Sequence, residues 1–263
     1  MINPLAANMY RAQTQFQKNV LEQQGTLYRL ATGRRINAGQ DDPAGLISAT
    51  ELDAHIAALD AESRSIERVQ ANANVVDGNL SQLSGMMTEL RGLLVSSGNT
   101  GAMSDDELAA NQLQIDSLVG SIQRFTEDAV DSLDGISLPD GNDTLVDSLR
   151  NAAASVSSLT SSGENHLASG NFEAAEEALS TAATTVAEAR GLVGAYQKDT
   201  LETRGRSLAV ERENLLAAHS QIMDADYAEE TSNMARADVL ATASAYALRV
   251  ANQTAATTLS LLS

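Results

Sequence analysis

The chain has no cysteine and no tryptophan, and its 263 residues include only three phenylalanines and five tyrosines. Absence of cysteine neither demands nor excludes an oxidising compartment. The shortage of bulky rings is more restrictive: a globular core of ordinary thickness would lack the side chains that usually fill it. Ala, Leu, Ser and Thr must do the packing, which suits a long thin bundle of closely approaching helices better than a sphere. Proline is scarce as well, at 4, 43 and 139 only, so the chain between is free to run as uninterrupted helix. No stretch approaches the roughly 18 apolar residues of a bilayer span. The first residues also lack the charged-then-apolar layout of a Sec signal, so neither a membrane partner nor conventional secretion is expected.

Positive charge is also in short supply. Asp+Glu 35 against Lys+Arg 17 gives a formal net charge of −18, which repels phosphate backbones and excludes nucleic acid as a partner. The distribution is uneven. Residues 1–40 hold five bases (Arg11, Lys18, Arg29, Arg34, Arg35) and one acid, whereas residues 224–263 hold five acids and two bases. Opposite signs favour the two ends lying side by side, although an exposed pair contributes only about 0–1 kcal/mol.

What is present is helical periodicity. From Leu52 to Leu94 the pattern advances by threes and fours through Ile56, Leu59, Ser63, Ile66, Val69, Ala73, Val76, Leu80, Leu83, Met87 and Leu90. Some 50 such residues predict a rod of about 75 Å. After a Gly/Ser/Asn break at 96–101, a coiled-coil seam runs through Leu108, Gln112, Ile115, Val119, Ile122, Thr126, Ala129 and Leu133. Residues 133–141 read as a short strand or turn, 144–159 as a short helix and 160–170 as a polar loop. The stripe Phe172, Ala175, Leu179, Ala182, Val186, Ala189, Val193, Tyr196, continued at Leu201, Leu208, Leu215 and Ile222, predicts a second rod antiparallel to the first. The expected fold is all-α, an elongated antiparallel helical bundle or coiled coil with a strand or turn near 133–141.

The two ends differ from the rods. Leu5, Met9, Ala12, Phe16, Asn19, Gln23, Leu27 and Leu30 form an N-terminal stripe with a wet middle. Met234, Ala237, Ala241, Ser244, Leu248, Ala251, Ala255, Thr258 and Leu262 form a C-terminal stripe of mostly small residues. At ~25 cal/mol per Å² such residues bury too little area to offset roughly 1–2 kcal/mol of backbone entropy each. Both tails are therefore expected to be disordered in the free monomer and to order on association.

Nothing reads as a reaction centre. His55, His166 and His219 occur in no metal-ligand spacing, and Glu51 with His55 reads as a solvated pair one turn apart. Asp41-Asp42-Pro43 suits a helix cap better than a metal, as do Asp224 and Asp226, which lack His or Cys support. There is no Gly-x-Ser-x-Gly elbow and no phosphate-binding glycine loop. No enzyme, cofactor or metal is expected.

Residues Thr32-Gly33-Arg34-Arg35-Ile36-Asn37-Ala38-Gly39-Gln40-Asp41-Asp42-Pro43-Ala44-Gly45-Leu46 resemble the N-terminal motif of bacterial flagellins. Glu213-Asn214-Leu215, the run Ser220 to Met234 containing Asp224-Ala225-Asp226-Tyr227 and Asn233, and the closing Leu259-Ser260-Leu261-Leu262 resemble the C-terminal motif. The likeness covers about residues 1–138 and 172–263, with Leu133-Asp134-Gly135 standing where the family has Phe-Asn-Gly and without its large inserted surface domains. It implies a near-minimal filament subunit for swimming motility, carried unfolded through the flagellum-specific export route to an extracellular filament. Implied partners are copies of itself in a helical homopolymer, the export apparatus and an export chaperone, and hook-associated and cap proteins. It further implies an inner coiled-coil layer from residues 1–43 and 220–263 and a rod from 44–219, of which 139–171 is a short variable surface segment. The implied assembly residues are Arg35, Ile36, Asn37, Asp41, Asp42, Gly45, Leu46, Asn214, Asp224, Asp226, Tyr227, Asn233, Met234, Leu261 and Leu262.

Arg91 aligns with the central arginine of a stretch that a vertebrate Toll-like receptor grips in some flagellins, with Gly92 and Ser96 replacing the usual Glu and Gln. Arg91 is thus a candidate receptor-facing residue, although a helix end packed in the filament wall accounts for it as well. Ser155 to Ser162 lie where flagellins often expose glycosylated hydroxyls, and a plain flexible loop also explains them. Two other functions compete. A hook–filament junction protein would share the N-terminal motif more than Asp224–Tyr227, and a signalling coiled coil would need a membrane anchor.

Overall fold

The computed structural model describes residues 4–98, 104–138 and 141–262. Among these the chain forms α1 (Pro4–Thr32), α2 (Pro43–Ser97), α3 (Asp105–Leu133), α4 (Asp143–Ser157), α5 (Phe172–Ala195), α6 (Thr203–Met223) and α7 (Tyr227–Leu262). A single 3₁₀ turn, Leu167–Ser169, precedes α5, and a π-helical segment, Tyr196–Glu202, joins α5 to α6. No β-strand occurs among the described residues, so the architecture is all-α. The chain divides into a central unit, residues 59–210, and a terminal unit, residues 1–58 with 211–263. The divide therefore falls inside α2 and α6, while the sequence put it at 43/44 and 219/220.

The central unit is built on the predicted stripes. Ala73, Val76, Leu80, Leu83 and Leu90 of α2 meet Ile115, Val119, Ile122, Ala129 and Leu133 of α3, Leu149 and Val156 of α4, and the α5 row from Ala175 to Val193 in one buried cluster. In α5 alanine alternates with a larger residue (Ala175, Leu179, Ala182, Val186, Ala189, Val193), and this allows close approach without aromatic filling. Each fully buried Leu or Val contributes about 1.5–3 kcal/mol. The seam then breaks step. Buried Tyr196 and buried Leu201 are five residues apart, where an α-helical stripe would step by four. The π segment takes up the surplus residue and returns Leu208 to the buried side.

Capping explains the start of α3. Ser104 Oγ accepts from Glu107 N at 3.3 Å while Glu107 Oε2 accepts from Ser104 N at 2.8 Å, a reciprocal box followed by acids that suit the positive end of the helix. At the other end, the segment expected as strand or turn is a turn at Asp134–Gly135 followed by residues 136–138 without regular structure. Asn142 secures it by donating to the carbonyls of Leu133 at 2.8 Å and Ile136 at 2.5 Å. Pro139 and Asp140 of that expectation lie outside the described residues.

The polar loop expected at 160–170 is tied down by side chains of α3. Gln112 donates to Leu159 O and accepts from Leu167 N, both at 2.9 Å, and Asp116 accepts from Ser161 N at 2.8 Å. Burial works against the Asp116 carboxylate, but hydrogen bonds from Gln112 and Ser161 hold its pKa below the ordinary value. Two polar α3 side chains thus pin the loop. That signal was present in the sequence only as an unexplained Gln in an apolar stripe.

In the terminal unit the tails are helices packed on each other, where composition led us to expect disorder in the free monomer. The expectation took each tail alone, whereas each supplies the other with a surface. Ala237 and Ala241 of α7 are buried, as are Asn19 and Thr26 of α1. Leu27, placed on the stripe by spacing, is exposed, because the inward row steps from Gln23 to Thr26.

Candidate functional site

Both sequence motifs fall in the terminal unit, and their hinge segments meet there. After α1, Gly33 turns the chain at φ +69°, a left-handed conformation that glycine adopts without penalty. The turn is also crowded, since a Cβ on Gly33 would lie 3.0 Å from the Tyr227 hydroxyl. The backbone then pairs with the segment after α6. Arg34 and Asp224 form an antiparallel bridge, with Arg35 N donating to Met223 O at 2.7 Å and Ala225 N donating to Gly33 O at 2.9 Å. The Arg35 guanidinium adds a donor to Ile222 O at 2.9 Å through Nη2.

Behind this bridge is a small apolar cluster separate from the main core. Ile36 is 1% exposed, packed with buried Ala49 and Met223 and flanked by Leu46 and Ile222. Gly45 belongs to the same contact: a Cβ there would lie 2.8 Å from Ile36 Cδ1 and 2.5 Å from Asp42 Oδ2. Asp42 caps α2 by accepting from Gly45 N at 2.9 Å, with Pro43 at the first helical position.

Asp41 instead closes the preceding turn, accepting from Asn37 N and Ala38 N, both at 2.9 Å. Those two backbone donors hold its carboxyl below the ordinary value of 3.8. Asn37 reaches back to Arg34 O at 2.8 Å. Asp226 caps α7 through Ala228 N at 2.8 Å and Glu229 N at 3.2 Å, and Asp224 accepts from Ser220 Oγ at 2.5 Å. The acids singled out in both motifs therefore serve as caps and turn acceptors.

Beyond the hinge, polar side chains fix the register of α1 against α7. Arg29, in the last turn of α1, pairs with Glu230, in the first turn of α7, at 2.8 Å. The hydrogen bond that Arg29 donates to Glu230 raises its pKa above the ordinary value. Gln23 Nε2 donates to Asp238 Oδ1 at 2.9 Å. Buried Asn19 donates to Leu240 O and Ser244 Oγ, each at 3.1 Å, and accepts from Gln15 at 2.9 Å. Sequence reasoning noted the wet middle of α1 and the opposite charge of the tails but named neither Arg29–Glu230 nor Gln23–Asp238. Opposite charges at the end of one terminal helix and the start of the other were the available signal.

The remaining predicted residues are not drawn into the hinge. Asn214 is exposed on α6, Asn233 and Met234 are half-buried on α7, and the side chains of Leu261 and Leu262 lie outside the described residues. Arg91 belongs to the central unit, where its guanidinium pairs with Glu176 of α5. No group of three or more metal-ligating side chains occurs among the described residues.

Outside the paired seam, both terminal helices carry bare apolar groups. Tyr10 (73% exposed), Leu21 (68%) and Tyr28 lie on α1, and Val239 (66%), Tyr246 and Val250 lie on α7. No helix among the described residues is long and apolar enough to cross a membrane.

Comparison with known proteins agrees with this geometry. The chain matches the family described as the bacterial flagellin N-terminal helical region over residues 2–144, and the bacterial flagellin C-terminal helical region over residues 177–262. It is 29% identical to a flagellin of Halalkalibacterium halodurans over 93% of each chain. It is 26% identical to the flagellar filament 30.7 kDa core protein of Treponema maltophilum over 91% of this chain and 92% of that one. With the flagellar filament 33 kDa core protein of Treponema phagedenis it shares 26% identity over 100% of this chain and 99% of that one. With the N-terminal family match alone spanning more than half of its residues, the chain belongs to the bacterial flagellin family.

Proposed function

We propose that this chain is the structural subunit of a flagellar filament and that the hinge at Gly33–Leu46 and Met223–Tyr227 presents the paired tails to neighbouring copies. The observation that carries the reading is the row of large apolar side chains left uncovered on both terminal helices. Water-exposed Tyr10, Leu21 and Val239 bury little in an isolated subunit and gain burial in a polymer. The contact is heterologous, so growth continues rather than closing on a dimer.

In this reading residues 1–43 and 220–263 form the inner layer of the filament and residues 44–219 the layer outside it, with 139–171 facing outward. Asn37, Asp41, Asp42, Asp224 and Asp226 act indirectly, by holding the hinge that orients the tails. The subunit leaves the cell through the flagellum-specific export apparatus, served by an export chaperone, and is placed at the tip with cap and hook-associated proteins. It then works outside the cell in swimming. Pairing of Arg91 with Glu176 favours a role in the filament wall over receptor contact for that residue.

Electron microscopy of the purified chain after seeding with sheared filaments tests the assignment. Unbranched tubular filaments are expected from the full chain, and none after removal of residues 1–43 or 220–263. Robust fibres from a chain lacking both ends would refute it.

A further inference from the structure

Features of the outward face of α2 in the central unit do nothing for the subunit itself. Arg64 and Arg68, one helical turn apart, are exposed, and neither has an acidic partner among the described residues. Farther along, Gly78, Gly85 and Gly92 recur at intervals of seven on the same exposed face, in register with Arg64 and Ala71. A Cβ on any of the three glycines would meet nothing within 4 Å. Glycine is the poorest helix former after proline, so three of them in mid-helix need a reason, and the subunit interior offers none. Val75, beside this track, is 54% exposed. A smooth track at heptad spacing is what a second helix needs for close approach.

Charge identifies the occupant. Each copy carries −18, so copies pack side by side only where base meets acid. The C-terminal part of α3 supplies the acid: exposed Asp128 and Asp131 lie at the end of a helix whose last turn holds no base, against the preference of the helix dipole. The same helix carries Leu113, 70% exposed. Within the subunit α3 runs antiparallel to α2, with Asn111 bonded to Ser97 and Gly135 against Asn72. Copies standing side by side in one orientation keep that relation, so the acidic end of one α3 faces the Arg64 end of the neighbouring α2.

We propose that the outward face of α2 receives α3 of a second copy of this chain, with Asp128 and Asp131 against Arg64 and Arg68 and Leu113 seated over a glycine of the track. The contact rests on the filament reading and adds a lateral interface within the central unit to the one at the tails.

Seeded polymerisation of the full chain, with the critical concentration read by sedimentation, tests it. Arg64→Glu with Arg68→Glu should raise that concentration by about tenfold or more, as should Asp128→Lys with Asp131→Lys. The four changes together should restore assembly to within about threefold of the parent. Gly85→Leu supplies a readout of opposite sign, because the monomer should melt no lower than the parent while its critical concentration rises. Parent-like assembly of Arg64→Glu/Arg68→Glu or of Gly85→Leu overturns the proposal, as does a fourfold variant that is helical by circular dichroism yet assembles no better than its parents. Failure of the unmodified chain to polymerise would instead sink the filament reading itself.

Discussion

Truncating Ile36 should detach the hinge without melting the rod. The side chain is 1% exposed in a cluster with Ala49 and Met223 that is separate from the main core. Ile36→Ala removes three carbon groups, a transfer loss of about 2.4 kcal/mol at ~0.8 kcal/mol each. The residual cavity brings the cost to about 2–5 kcal/mol, depending on how far Leu46 and Ile222 collapse inward. So small a cluster cannot spread that loss, and it should fall on the terminal unit. Hydrogen exchange of the monomer, followed by mass spectrometry, should show faster exchange at residues 33–49 and 222–245 with 73–94 and 175–193 unchanged. A second substitution sharpens the test. Gly45→Ala brings a Cβ to 2.8 Å from Ile36 Cδ1 and should destabilise alone, but less in the Ile36→Ala background, where that methyl is gone. Equal loss of protection in both units, or strict additivity of the two substitutions, would refute the reasoning.

Ser104→Ala removes the cap of α3 and should cost about 1 kcal/mol, lowering the thermal midpoint of the central unit; an unchanged midpoint would count against the cap. Asp41 has a depressed folded-state pKa, so its contribution to the Asn37–Asp41 turn is present above the ordinary value of 3.8 and is lost as pH falls through the lower folded value. Asp41→Asn should abolish that acid-side loss in an exchange or NMR titration of Ala38, and a titration identical to the parent's would contradict the assignment. Deleting Asp199, exposed in the π segment, should leave a continuous α-helix with Tyr196 and Leu201 at the ordinary step of four. The central unit should keep or gain stability in urea unfolding, and a loss above about 1 kcal/mol would show that the π turn does more than set phase.

Much of the central unit was legible because its side chains obey one rule. Every seam position from Ala73 to Leu94 and from Ala175 to Val193 is buried, since an apolar group at a three-four step has no better place to go. Failures begin where burial depends on hydrogen bonds. Thr26 displaces Leu27 from the inward row because its hydroxyl is satisfied by the carbonyls of Glu22 and Gln23, at 3.3 and 2.9 Å. Gln112 pins a loop that composition suggested would be loose. The hinge was legible as two motifs, and Asp42 and Asp226 as helix caps, but neither motif shows that Arg34 and Asp224 pair. Periodicity gives a side chain its direction, whereas a polar partner 200 residues away leaves no local trace.

The same distinction governs the tails. Composition correctly warned that a stripe of alanines buries little, and the seam between α1 and α7 compensates with polar contacts instead of area. Asn19, buried and bonded to Leu240 O and Ser244, can be satisfied in only one register, so a slipped pairing would strand its amide. Gln23–Asp238 and Arg29–Glu230 reinforce that register farther along the pair. Polar contacts of this kind select an arrangement more than they stabilise it, because each replaces hydrogen bonds that water already supplied. The large apolar groups of the tails, Tyr10, Leu21, Val239 and Tyr246, lie exposed outside the seam. Register is thus written into the single chain, and in the filament proposed above the missing apolar contact would come from a neighbouring copy.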